Sequence, residues 1–249
     1  MVIPAAGRGT RLGLDVPKIL VPIRPDLTVW DVLRRSSLAV ADHVHVVVSP
    51  SGEAAFTRAA QADIDAGRVS CSLQHEPLGM GDAVFRAEPV FSTYDAMIVM
   101  WGDQVGVSRA TLARVRAALD AAKGDVIALP LATTPAPYVH YEIDPHQGLT
   151  GVLQSREGDV MPPVGEADVG VFGLTTRGLR EHYAAYTARG IVGKKTREAN
   201  FLPFMPFLAQ ERGFAVTLLP GVAPDEAKGI NTQEDLEHFR FQLQERDGT

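Results

Sequence analysis

Short apolar runs alternate with helical stretches through the first half of the chain. Residues 44–48, 69–73, 96–100 and 126–129 are four- or five-residue runs rich in apolar side chains, the pattern of strands buried on both faces. Another short apolar strand opens the sequence at residues 1–4. Between these runs, residues 29–40, 53–66, 82–91 and 111–122 have helical composition or periodicity. Repeated strand–helix units predict a mostly parallel sheet with helices on both sides. Ligands in such sheets bind beyond the carboxyl ends of the strands. The alternation changes near residue 133, where 139–143, 149–153 and 169–174 read as antiparallel strands of an insertion. Turns at Gln147-Gly148 and Gly158-Asp159 separate them. Helices over 177–187 and 232–246 complete the pattern, the second opening on Thr232 as a cap with acidic residues behind it.

Composition narrows this picture without changing it. A chain of 249 residues allows one large α/β domain or two small ones, and a single domain 1–249 carrying an insertion is the reading adopted. Its parts are 1–132, an insertion over 133–228, and a final turn and helix over 229–249. Hydrophobic residues make up 45% of the sequence, enough for a sizeable core, yet no apolar run approaches the ~20 residues a bilayer requires. The opening apolar stretch lacks a basic leader, so a signal peptide is not expected and a cytoplasmic, membrane-free protein is. Cys71, the single cysteine, suits a reducing compartment and sits in a strand pattern as a small core residue. A formal charge of −6 argues against nucleic acid as a partner. His43 and His45 share a strand face, but no cysteine or carboxylate motif accompanies them, so zinc is not expected.

The chemistry concentrates after the first strand. Gly7 and Gly9 allow crowded backbone that aims N–H groups at one anion, and Arg11 and Lys18 add fixed charge for phosphate oxygens. An ordinary strand-to-helix turn is the alternative. No G-x-x-x-x-G-K-[ST] is present, Gly13 falls one residue late for G-x-G-x-x-G, and Pro17 opposes a continuous helix from the loop. A nucleoside triphosphate is therefore the better candidate than a dinucleotide.

Gly7-x-Gly9-Thr10-Arg11, five residues, then Pro17-Lys18 resembles the signature of nucleotidyltransferases that join a nucleoside triphosphate to a sugar 1-phosphate or similar phosphorylated acceptor. The likeness is greatest to the uridylyltransferase domain that makes UDP-N-acetylglucosamine. It implies a three-layer Rossmann-like α/β fold of the nucleotide-diphospho-sugar transferase, GT-A-like type, with the antiparallel insertion on the acceptor side. It also implies that Ala5, Ala6, Gly7, Gly9 and Thr10 wrap the nucleotide while Arg11 and Lys18 act on its phosphates. No hexapeptide array follows, so the acetyltransferase half of the bifunctional relatives is expected to be absent.

Three further motifs extend the resemblance. Trp101-Gly102-Asp103 ends the strand at 96–100. A carboxylate there faces the expected cleft and suits a hard cation, although Gly-Asp is also a common turn. Asn231 in Gly229-Ile230-Asn231 is by itself a turn residue before a helix. The resemblance makes Asp103 and Asn231 ligands of Mg2+ and places Trp101 near the sugar. Gln74 and the Leu78-Gly79-Met80-Gly81 turn offer an amide for a base edge and close backbone approach, or else form a plain strand–helix turn. The resemblance assigns Gln74, Leu78, Gly79 and Gly81 to the nucleoside and favours a pyrimidine, CTP or UTP.

The acceptor side departs from the family pattern. Tyr141, Gln154, Arg156 and Asp168 stand near positions where those enzymes contact the amino sugar, with Arg156 the nearest cation for an acceptor phosphate. Tyr138, Tyr141 and Asp168 read equally as plain strand residues, and Lys194 and Lys195 as solvated loop charges. The acceptor is therefore expected to be a different sugar phosphate, a cyclitol phosphate or a phosphonate. The implied reaction is in-line attack of an acceptor phosphate oxygen on the α-phosphorus with loss of pyrophosphate, resting on alignment and charge neutralisation. A glycosyltransferase of similar fold is the rival, but Gly102-Asp103-Gln104 lacks its Asp-x-Asp. A non-catalytic nucleotide sensor is the other. The oligomeric state is left open.

Overall fold

The computed structural model describes residues 1–7 and 16–247, and the side chains to residue 242. At its centre β1 (Val2–Pro4), β4 (Val44–Val48), β5 (Val69–Leu73) and β6 (Ala96–Met100) form a parallel sheet in the order β6-β1-β4-β5. On the other side of β6 come β11 (Val171–Thr175) and β7 (Val126–Pro135), antiparallel to each other and β11 antiparallel to β6. The second half of β7 pairs with β10 (Val164–Asp168), and its first half runs parallel to β12 (Ala215–Leu219). Two small hairpins lie outside this eight-stranded sheet, β2 (Pro22–Arg24) with β3 (Leu27–Thr28) and β8 (Val139–Asp144) with β9 (Gly148–Gln154).

Alternation along the strands divides the interior in two. Ile3, Val46, Val48, Ile98 and Met100 enter one core, where α1 (Val29–Ser37), α2 (Pro50–Asp65), α5 (Arg109–Asp120) and α8 (Gln233–Asp247) supply Trp30, Phe56, Leu112 and Phe239. Val2, Val47, Met97, Val99 and Phe172 enter the other, under α3 (Met80–Arg86), α4 (Glu88–Phe91), α6 (Leu179–Thr187) and α7 (Phe204–Glu211), which add Val84, Phe91, Tyr186 and Phe204. This is a three-layer α/β arrangement. Because both faces are buried, a one-residue slip of a central strand would exchange its contacts with both cores at once, so register is strongly fixed.

The structure differs from the sequence pattern at several places. The helix expected over 82–91 is two helices meeting at Ala87, since Pro89 has no N–H to continue the first. The strand expected at 169–174 does not belong to the insertion: as β11 it sits between β6 and β7 in the main sheet. Of the 133–228 portion only β8–β9 stands apart, while β10, β11 and β12 complete the central sheet. The strand at 126–129 continues to Pro135, and β10, β12 and α7 carry no pattern that announced them. No helix among the described residues is long and apolar enough to cross a membrane.

Candidate active site

The carboxyl ends of β1 and β6 open into a cleft of about 910 Å³. β1 delivers Ala5, Ala6 and Gly7, of which Gly7 lines the cleft. Arg11, Gly9 and Thr10 lie outside the described residues. Lys18 begins a short 3-10 turn, Lys18–Leu20, directly after Pro17. β6 ends at Met100, and the Trp101–Asp103 turn is pressed onto the first loop: Gly102 N–H donates to Pro4 O at 3.3 Å, and a Cβ on Gly102 would meet Ala5 Cβ at 3.0 Å. Gly229 is brought against the same turn. Ile230 N–H donates to Asp103 O at 3.0 Å, and a Cβ on Gly229 would lie 3.1 Å from the Asp103 carboxyl carbon. Asn231 is then fixed by its N–H to Asp235 Oδ2, 2.9 Å, beside the Thr232–Asp235 cap of α8.

Three residues far apart in sequence converge here. Lys18 Nζ donates to Asp103 Oδ2 at 2.5 Å and to Asn231 Oδ1 at 2.8 Å. The Lys18 and Asp103 side chains are about one-fifth exposed, so the group is open to a ligand from the cleft. The two oxygens that the ammonium bridges are hard donors of the kind Mg2+ prefers, and a cation already sits between them. A divalent ion fits that donor set, and Asp103 and Asn231 would hold it. No group of three His, Cys, Asp or Glu side chains with metal-site geometry occurs among the described residues.

The Gln74 turn has a different internal logic from the one its sequence implies. Gln74 is buried, and its Nε2 donates to Gly79 O at 3.0 Å and to Asp82 Oδ2 at 2.8 Å. Gly79 has φ 113°, and a Cβ there would stand 2.7 Å from Ala199 O; one on Gly81 would stand 2.6 Å from the Tyr183 hydroxyl. The glycines are thus required by the approach of residues 198–199 and Tyr183. Gly81 N–H donates to Ala199 O at 2.9 Å and Ala199 N–H to Leu78 O at 2.8 Å, and Leu78 itself is exposed. Of this turn Met80 lines the cleft; Gln74, Leu78, Gly79 and Gly81 flank it.

Across the cleft, Trp101, Gln154, Arg156 and Asp168 all reach the wall. Trp101 is seated against Phe172 and Phe201, with ring centroids 5.0 and 5.6 Å away. Tyr141 is the exception among the expected acceptor contacts. It is 1% exposed and packed in the second core, so it supports Asp168 from behind and does not touch a ligand. Burial pushes the Asp168 carboxyl up to about 6, against a hydrogen bond from Gly170 N–H at 2.8 Å that favours the charged form. Burial also raises Tyr141 well above the ordinary phenol range, with Asp168 adding to it.

Several wall residues carried no sequence signal. Gln104 Oε1 and Thr134 Oγ1 are buried at the cleft with no hydrogen-bond partner among the described residues, so they are open to a ligand or water. Gln104 adjoins Asp103 and was within reach of the motif. Glu198, Asn200 and Lys228 were not, because only the fold brings residues 198–200 beside 154–156 and Lys228 to the cleft. Arg156 Nη2 donates to Glu198 Oε2 at 2.8 Å, and Asn200 Nδ2 to Gln154 Oε1 at 2.7 Å. Lys194, read as a solvated charge, donates to Asp159 Oδ1 at 2.5 Å.

The family model described as the MobA-like NTP transferase domain matches residues 1–167. Among curated proteins, the chain is 27% identical over 250 residues to the bifunctional protein GlmU of Nitrobacter hamburgensis, covering 98% of this chain and 52% of that protein. It is 24% identical over 249 residues to the bifunctional protein GlmU of Pseudomonas putida, covering 100% of this chain and 52% of that protein. The chain spans about half the length of the curated relatives it matches.

Proposed function

The chain belongs to the MobA-like NTP transferase family and is a nucleotidyltransferase, and on that premise we propose that it moves a nucleoside monophosphate from a triphosphate to a phosphorylated acceptor, with release of pyrophosphate. The convergence of Lys18, Asp103 and Asn231 at the ends of β1 and β6 carries this reading, since it sets an ammonium and two hard oxygens where the phosphates of a bound triphosphate would lie. The triphosphate enters along Gly7 and the first loop, with its base toward the Gln74–Gly81 turn; CTP or UTP is the expected donor. Asp103 and Asn231 would hold Mg2+, which when bound supplies neutralisation of phosphate charge. Lys18 then exchanges its carboxylate partner for phosphate oxygens and stabilises the charge that develops during transfer. Arg156 grips the acceptor phosphate. That phosphate is ionised near neutral pH, so the site needs alignment more than a general base.

The remainder of the acceptor meets Trp101, Gln104, Thr134, Gln154 and Asp168. Gln104 Oε1 and Thr134 Oγ1, which have no partner among the described residues, suit a polyol or amino-bearing body, as in a sugar 1-phosphate, a cyclitol phosphate or a phosphonate. The test is pyrophosphate release across four nucleoside triphosphates and a panel of these acceptors. Lys18→Met and Asp103→Asn should each lower the best rate roughly 10²-fold or more. Rates near wild type in both variants would remove the triphosphate from this end of the cleft.

A further inference from the structure

The chain between α6 and α7 ties the two sides of the cleft together. Toward the nucleotide side, Ala199 exchanges backbone hydrogen bonds with Leu78 and Gly81. Toward the acceptor side, Glu157 accepts from Lys195 N–H at 2.8 Å and Thr196 Oγ1 at 2.7 Å, Lys194 reaches Asp159, and Asn200 reaches Gln154. Burial alone would push the Glu157 carboxyl up, but these hydrogen bonds outweigh it and hold it below its ordinary range. Between two anchored neighbours, Glu198 has its backbone fixed and its side chain directed onto Arg156.

We propose that Glu198 is a selector for the acceptor: its carboxylate occupies Arg156 in the free protein, and the acceptor's phosphate or phosphonate head must displace it to bind. The Arg156 and Glu198 side chains are 47% and 34% exposed and both line the cleft, so an incoming anion reaches the pair directly. A planar guanidinium accepts a carboxylate and a phosphate in the same forked geometry, which makes the two competitors for one seat. A dianion gains more from that seat than the monoanion it replaces. Glu198 therefore disfavours weakly charged acceptors while leaving the seat formed for a phosphoryl head, and its tether through Ala199 keeps it beside the seat after displacement. This role rests on the reading of the cleft as a transferase acceptor site.

Inorganic phosphate is the probe, titrated into the full chain and followed by the fluorescence of Trp101, since the second tryptophan, Trp30, is enclosed in the core. Glu198→Gln should bind phosphate about three- to fivefold more tightly than wild type, the size of a partly exposed ion pair. Arg156→Met should bind it about tenfold or more weakly. Any other combination, such as unchanged affinity in Glu198→Gln or in Arg156→Met, overturns the proposal. No turnover enters the measurement, so this failure is separate from a failure to release pyrophosphate.

Discussion

The two sides of the cleft are built by different means. On the proposed nucleotide side the site groups follow parallel strands by a few residues: Gly7 after β1 and Asp103 after β6, locked together by backbone contacts such as Gly102 N–H to Pro4 O. On the proposed acceptor side the wall is assembled from the end of β9, the end of β10 and the chain before α7, and is joined by side chains, with Glu157, Asp159 and Gln154 each holding part of residues 194–200. Geometry fixed by a buried sheet changes only if the core changes. Geometry fixed by side-chain hydrogen bonds outside the sheet can be altered residue by residue without disturbing the sheet, which is the economical place to put substrate choice.

Acid titration should separate the parallel half of the sheet from the acceptor wall most strongly. In the parallel half, burial lowers His45 from 6.5 to about 4, its ring nitrogens meeting Ser70 and Ser72 hydroxyls at 2.8 and 2.9 Å. The unfolded chain then takes the proton first, so stability present above pH 6.5 is lost as pH falls toward about 4. Asp168 works in the opposite sense. Its carboxyl rises from 3.8 to about 6, so the folded chain holds the proton more tightly and stability falls as pH rises through about 6. Each shift amounts to about 3 kcal/mol. Denaturant unfolding from pH 4 to 8 should show His45→Gln losing less stability on acidification than wild type. Asp168→Asn should be more stable than wild type at pH 8 and lose more on acidification. Parallel profiles in all three proteins would mean that neither His45 nor Asp168 is a buried titrating group of this kind.

The same division governs what the sequence disclosed. Lys18, Asp103 and Asn231 were singled out by short motifs and the resemblance those motifs carry; of the three only Asp103 closely follows a strand of the parallel sheet, and the fold brings Lys18 and Asn231 to it. The parallel strands themselves were legible as apolar runs. By contrast, β12 alternates only weakly and is only partly buried, and α7 is so apolar that it shows no helical face. Tyr141 and Asp168 illustrate the limit. Both lie on alternating strands, and only the burial of the first and the cleft position of the second decide which can touch a ligand. Glu198 and Asn200 had no local signal, because their partners are more than 40 residues away in sequence.

Where the two sides meet, a smaller effect should expose the junction. Gly79 adopts φ 113°, a region that a side chain strains to enter, and an added Cβ would stand 2.7 Å from the Ala199 carbonyl and 2.9 Å from its nitrogen. Those are backbone atoms and cannot turn aside. Gly79→Ala should cost about 2 kcal/mol locally. Hydrogen exchange at the Ala199 and Gly81 amides should then quicken about 30-fold, with β4 amides unchanged. Gly67→Ala is the control, since it also has positive φ, 69°, but nothing within 4 Å of the added carbon. Equal exchange in the two variants would show that backbone strain, and not the meeting of the two sides, sets the behaviour of the turn.

The smallest effect concerns the cation seat on the nucleotide side, which has the same design as the Arg156–Glu198 pair across the cleft. There Glu198 holds Arg156, the proposed seat of an acceptor's anion; here Lys18 lies between Asp103 and Asn231, the proposed holders of a divalent cation. A metal arriving without nucleotide must displace the ammonium, which then loses both oxygens and gains no phosphate. With a triphosphate present, the ammonium has somewhere to go. Lys18→Met should therefore strengthen nucleotide-free Mn2+ binding about three- to fivefold, the worth of one partly exposed ion pair, even though it slows transfer. The measurement is the free Mn2+ signal in electron paramagnetic resonance during titration of wild type and variant without nucleotide. Weaker binding in Lys18→Met would mean that the lysine helps to build the seat instead of guarding it, and the symmetry between the two ends of the cleft would be lost.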